Sequence, residues 1–146
     1  MDVSMDVLKL LRTKNRCLER FLDISARFEA EVEAGDFSRL ERFHQEREAI
    51  LKGFALYDRK LSECISQLTS ADRTPELVSK IEEALQRKQD LVHRILSIDE
   101  KLSRKIVEER ARLQKEMAQN QKSVSMIKKF KSGWISESGD ELDEKL

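Results

Sequence analysis

Proline and glycine are the scarcest structural punctuation in this sequence, with one Pro and four Gly in 146 residues. Strands need turns and turns draw on those residues, so a many-stranded β fold is excluded. The four glycines are scattered, and no Gly-rich phosphate loop occurs. Only two cysteines are present, Cys17 and Cys64, too few for a disulfide framework and not at metal-ligand spacing. No apolar run approaches the ~20 residues that span a bilayer, so a membrane span is not expected. The first ten residues carry Asp2 and Asp6 and lack an apolar core, so a secretory signal is not expected either. A reducing cytoplasm is the expected compartment. Net charge is also missing, because 28 basic residues balance 28 acidic ones. Charged residues nevertheless make up 38% of the chain, against roughly 25% in ordinary globular proteins.

What the chain does have is apolar periodicity. Val7, Leu11, Lys14, Leu18, Phe21, Ser25, Phe28 and Val32 recur in alternating steps of four and three, and six of the eight are apolar. That is the signature of an amphipathic helix. Gly35 suits its left-handed C-terminal cap, and Asp36 is placed to cap the next helix. A second series follows at Leu40, Phe43, Arg47, Ile50, Phe54, Tyr57, Leu61, Cys64 and Leu68, with a mean step of 3.5 residues. This is the coiled-coil period. Gly53 lies inside it, at a cost of up to ~1 kcal/mol relative to Ala unless it permits a close helix approach. Ser70 to Thr74 reads as a loop. Thr74 is a good N-cap, Pro75 fits the first helical position, and Glu76 favours the positive helix end.

The third series is the longest: Leu77, Ile81, Leu85, Lys88, Leu91, Ile95, Ile98, Leu102, Ile106, Glu109, Leu113, Met117, Asn120, Val124 and Ile127. No Gly or Pro interrupts it from Glu76 to Lys131. The expected fold is all-α: an elongated antiparallel hairpin plus a long third helix, a three-helix bundle or coiled coil with a C-terminal overhang. The helices are expected at about 4–33, 37–69 and 75–131, grouped as one domain 1–131, with 132–146 a mobile acidic tail.

The short connections impose an up-down-up order. Helix three would be roughly 85 Å long and the first two roughly 45–50 Å each. It must therefore overshoot the first turn or fold back, and Ala118 to Ser123, where Gln, Asn and Ser cluster, is the weakest place for a break. The overhang carries Leu113, Met117, Val124, Ile127, Phe130, Trp134 and Ile135. An apolar stripe without an intramolecular partner is costly in water and marks a partner surface. A folded-back hairpin or a homodimer would bury it equally well. Charge is uneven here too. Lys101 to Lys131 holds ten basic and three acidic residues, and the last fifteen residues hold five acids and one Lys. The basic stretch suits nucleic acid or an acidic partner. A solvated helix face is the plainer reading, and aromatics for stacking bases are sparse along it.

Catalysis finds little support, because no polar constellation is in view. Glu41 and His44 form a Glu-x-x-His pair, and Asp90 to His93 is the nearest second copy. Di-iron bundles need two such motifs and two further Glu across four helices. A surface His beside Phe43 is the preferred reading, so no metal or cofactor is expected. Cys64 reads as a small core residue and Cys17 as a helix-edge residue, neither with a positioned base. Arg47 interrupts the second series as an aliphatic stem along the core with its head in water.

Four segments carry a family resemblance. They are Leu10-Leu11, the Ala34-Gly35-Asp36-Phe37 hairpin, Glu46-Arg47-Glu48-Ala49-Ile50-Leu51, and Lys128-Lys129-Phe130-Lys131-Ser132-Gly133-Trp134. Together they resemble the flagellar export chaperones of the FlgN and FliT type, small cytoplasmic helical proteins. The likeness covers most of the chain in layout. Trp134 and the acidic end depart from the family pattern and leave the choice between the two types open. The resemblance implies a chaperone, not an enzyme. It would hold the helical C-terminal segment of hook-filament junction proteins, or of the filament cap protein in the FliT-like case, and deliver it to the export apparatus. A disordered amphipathic client would lay its apolar face on the helix, and its ordering cost would ease release. The expected partner is a protein client, with no nucleic acid and no membrane, and the chain a monomer or weak homodimer. A self-associating coiled-coil adaptor is the alternative.

Overall fold

The computed structural model describes residues 3–134. It is an all-α bundle of three helices: α1 (Val3–Glu33), α2 (Leu40–Ser66) and α3 (Pro75–Trp134), with a single 3-10 turn at Ser70–Asp72. No strand occurs among the described residues. The chain separates into two units, Met1–Ser103 and Arg104–Leu146. Residues 104–131, grouped with the first 103 on periodicity, thus belong to a unit of their own. The last buried residue of α3 is Leu102.

Both connections in the first unit are built by local hydrogen bonds. Gly35 adopts φ 82°. Its N–H donates to the Val32 carbonyl and the Asp36 N–H donates to the Glu31 carbonyl, each at 2.9 Å. This pair of bonds is the Schellman closure that a left-handed residue permits. Asp36 does not cap α2 as the pattern suggested. Its carboxylate accepts the Ser38 N–H at 2.9 Å, closing an Asx turn first. The helix then starts three residues later, at Leu40, and Arg39 caps it with no side-chain bond. Hydrogen bonds from Ser38, hydroxyl first and then backbone N–H, hold the Asp36 carboxyl below its ordinary value. At the second connection α2 ends at Ser66, and the Asp72 carboxylate accepts both the backbone N–H and the hydroxyl of Thr69, each at 2.9 Å. These bonds, the backbone one first, lower the Asp72 pKa. The Thr74 hydroxyl accepts the Leu77 N–H at 3.2 Å and Pro75 opens α3, as its residues require.

The core follows the α1 pattern closely. Val7, Leu11, Lys14, Phe21, Ser25, Phe28 and Val32 are buried, and only Leu18 is half-buried. Leu8, Asn15 and Ile24 are buried as well, which widens the stripe beyond one residue per step. Helix α2 buries only Phe43 and Leu61, and Leu40 is exposed. Val7, Leu11, Leu61 and Ala84 form a cluster drawn from all three helices. Leu85, a member of the third series, is exposed, and Ala84 takes the inward place. The register explains it: Leu77, Ile81, Ala84, Lys88 and Leu91 keep the alternating steps of four and three, and the Ala84 carbonyl accepts the Asn15 Nδ2 at 2.9 Å in a buried position. Arg87 pairs with Glu19 at 3.3 Å further along the same two helices. Rising numbers on both partners show that α3 runs parallel to α1.

Two cations cross the hairpin. Lys14, its side chain 5% exposed, pairs with Asp58 of α2 and lies 4.7 Å from the Phe54 ring centre. Arg47 does not leave its head in water. Its guanidinium lies 4.8 Å from the Phe21 ring and 5.5 Å from the Phe43 ring, and bonds Asp99 of α3 at 3.0 Å. The stacked Phe28 and Phe43 rings, 4.5 Å apart, continue this layer. Planar charge over aromatic faces explains why Arg sits in an otherwise apolar series.

In the second unit α3 continues unbroken through 118–123 and includes Ser132, Gly133 and Trp134, which composition assigned to the tail. No residue of 104–133 is buried. The tail 135–146 lies outside the described residues.

Candidate partner-binding surface

Near the start of the second unit the helix is braced by its own side chains. Arg112 donates to Glu109 (2.6 and 3.1 Å) and to Glu116 (2.6 Å), at the i,i+3 and i,i+4 separations that meet on a helix. The bonds from Arg112 hold the Glu109 carboxyl below its ordinary value, and Glu109 in turn raises the Arg112 pKa. Glu109 interrupts the apolar series at a position where Arg112 neutralises it.

At 100° per residue, Leu113, Met117, Val124 and Ile127 fall within one narrow strip of the helix. Their exposures are 47, 61, 52 and 53%. Phe130, 70% exposed, lies to one side of that strip rather than on it. Met126, 69% exposed, precedes Phe130 by four residues and shares its line. Met126 is thus a further exposed apolar residue near the end of α3 that periodicity did not select, about 140° round the helix from Leu113. Its signal was the four-residue spacing to Phe130. Val107, 63% exposed, lies off the strip. Trp134 is the last residue of α3; its side chain, and Ile135, lie outside the described residues. Asn120 interrupts the strip with a polar group.

Charge frames this surface asymmetrically. Over 104–134 nine residues are basic and three are acidic, Glu108, Glu109 and Glu116. Two of those acids are the ones bound by Arg112. From Met117 to Trp134 there are four lysines and no acid.

The first unit offers less. A depression of about 430 Å³ between α1 and α2 is lined by Cys17, Ile24, Ile50, Gly53 and Tyr57, with charged Arg20, Arg27 and Glu46 beside them. Gly53 permits no close approach, since nothing lies within 4 Å of where its Cβ would be. Cys17 and Cys64 are both half-buried and free. His44 and His93 are exposed. Among the described residues no group of three or more His, Cys, Asp or Glu could hold a metal ion. Among the described residues no helix is long and apolar enough to cross a membrane.

The class defined by these features is an all-α helical bundle. Comparison with protein-family models, curated proteins and solved structures finds no match to the chain.

Proposed function

We propose that this protein is a cytoplasmic flagellar export chaperone of the FlgN type. It binds the C-terminal helical segment of hook-filament junction proteins, prevents their premature assembly and delivers them for secretion. One observation carries the reading: Leu113, Met117, Val124, Ile127 and Phe130 stand between 47 and 70% exposed on one helix. Scattered apolar residues need no explanation, but a run of this kind on one side of a helix marks a partner surface. The Gly35-Asp36 hairpin and the Lys128 to Trp134 segment supply the resemblance that names the client. Amphipathic helices lay their apolar faces into such surfaces with anchors at i, i+3, i+4 and i+7. A FliT-like partner, the filament cap protein, fits the same physics.

The test is co-purification with the C-terminal segment of a hook-filament junction protein. The full chain retains the client, and the chain ended after Arg112 loses it. Recovery of the same client by the shortened chain refutes the site. Ile127→Ala weakens the complex by about 1–3 kcal/mol if Ile127 anchors the client. The same exposed strip also suits a second copy, as in a coiled-coil adaptor. Light scattering across concentration separates the two, since an obligate dimer with the strip buried favours the adaptor.

A further inference from the structure

The strip on α3 is bordered on one flank by basic residues. Placed by 100° per residue, Arg110 and Lys128 lie on the same flank, about 60° from Leu113, and Lys131 lies on the line of the strip itself. Arg110 and Lys128 are exposed and Lys131 is half-buried. Glu109, about 40° to the other side of Leu113, and Glu116, about 60° to that side, are both bonded by Arg112. These acids are thus compensated in place, whereas Arg110, Lys128 and Lys131 pair with no acid among the described residues.

We infer that the occupant of this strip is an acidic amphipathic helical segment. It would be about five turns long, with Glu or Asp flanking its apolar face where it meets Arg110, Lys128 and Lys131. The inference deepens the client-binding reading and rests on it. The length comes from Leu113 to Lys131, which at 1.5 Å per residue covers roughly 27 Å. The sign comes from charge complementarity, which sets specificity and encounter rate more than raw affinity. A second copy is the poorer occupant, because an antiparallel pairing of two strips about Asn120 sets Arg110 against Phe130 and its neighbouring lysines. Like charges facing each other across a helix seam oppose association.

The experiment measures fluorescence anisotropy of two labelled 20-residue amphipathic peptides with the full chain. Their apolar positions are identical, and their flanking positions are Glu in one and Lys in the other. At about 0.05 M salt the Glu peptide binds about tenfold tighter, and at about 0.5 M the difference shrinks to near twofold. The combined variant R110Q/K128Q/K131Q erases the preference while circular dichroism shows the helix retained, and R110E/K128E/K131E reverses it. The control K122Q/K129Q, on the far side of the helix, changes the preference less than twofold. Equal affinity for both peptides, or tighter binding of the Lys peptide, overturns the inference. If both bind equally and Ile127→Asp abolishes both, the docking surface stands and only its charge preference is refuted. If neither binds while Ile127→Asp still retains a hook-filament junction segment, the docking reading itself has failed. A tenfold gain for the Glu peptide on removing residues 135–146 overturns it in favour of the chain's own acidic end as occupant. Tighter binding of a 20-nucleotide single-stranded DNA than of the Glu peptide overturns it in favour of nucleic acid.

Discussion

Lys14 and Asp58 form a pair of unequal burial, and the two members should respond to mutation in opposite ways. Lys14 has 5% of its side chain exposed and Asp58 has 54%. Desolvating an ammonium costs several kcal/mol even after relaxation. Against this stand a Coulomb interaction with a half-exposed carboxylate, worth about 1 kcal/mol or less, and the Phe54 ring at 4.7 Å, worth about 1–2 kcal/mol in a desolvated setting. The attractive terms sum to about the cost or less. Lys14→Met keeps the aliphatic length, removes the buried charge and returns Asp58 to water. It should leave stability within about 1 kcal/mol of the parent or raise it. Asp58→Asn strands the ammonium and should cost about 1–3 kcal/mol, less than the 3–5 of a fully buried pair because Asp58 is half in solvent. In the Lys14→Met background Asp58→Asn should cost nothing. Urea unfolding followed by circular dichroism at neutral pH measures all four corners of this cycle. A Lys14→Met cost larger than that of Asp58→Asn would refute the reasoning, because the pair would then be a net stabiliser in its own right.

Gly35→Ala should destabilise the first unit by about 1–2 kcal/mol, because φ 82° is left-handed and an L side chain pays for it there. No atom lies within 4 Å of the added Cβ, so a larger loss in urea unfolding would point to a cause other than the backbone. The carboxyls of Asp36, Asp72 and Glu109 are all held below their ordinary values of 3.8, 3.8 and 4.5. Their contribution is fully present above those values and is lost as pH falls through the lower folded-state ones. An acid titration should therefore show flat stability from these groups near neutrality and a decline only below about pH 4.5. Asp72→Asn should make the part of that decline due to Asp72 disappear, and an unchanged titration curve counts against the Thr69 contacts. In amide hydrogen exchange, residues 117–134 should exchange far faster than α1 in the free chain and become protected when the acidic peptide binds. Equal protection of both regions in the free chain contradicts the burial pattern.

The helices were legible because their apolar rungs are local facts. Of the eight α1 rungs only Leu18 stays half-exposed, and even the polar Lys14 and Ser25 sit inside where the period placed them. Thr74 and Pro75 marked the start of α3 for the same reason, since a cap needs only its own next turn. Ala84 was passed over for Leu85 because a periodicity count scores the larger apolar residue higher, although the steps Leu77, Ile81, Ala84, Lys88 and Leu91 favour it. Other features were decided by contacts distant in sequence. The engagement of Arg47 depends on Phe21 and Asp99, on two other helices. The start of α2 slipped to Leu40 because Asp36 spends its carboxylate on Ser38, a choice between two local bonds that spacing does not rank. In the candidate site the apolar strip was readable, while the offset of Phe130 and the exposure of Met126 beside it required angular placement beyond the alternating steps.

The two units draw their helical order from different sources, and this bears on how a partner would be held. In the first, Leu91 and Val7 are essentially sealed from solvent, and tertiary packing supports the backbone. In the second, no residue of 104–133 is buried, so local terms alone support the helix. Near its start those terms are good: Glu108, Arg110, Ala111, Arg112, Leu113, Lys115 and Glu116 are strong helix formers, and Arg112 bridges two turns. From Asn120 to Ser132 they weaken, with Ser123, Val124, Ser125 and Ser132 losing rotamer freedom or competing for backbone groups. Helices without tertiary support are marginal at such lengths. The apolar side chains are most exposed where the helix is least supported, at Met126 and Phe130. A docked segment would therefore supply both the missing burial and the missing helical support. Part of its contact energy would be spent on ordering this stretch, which weakens the complex and speeds its release.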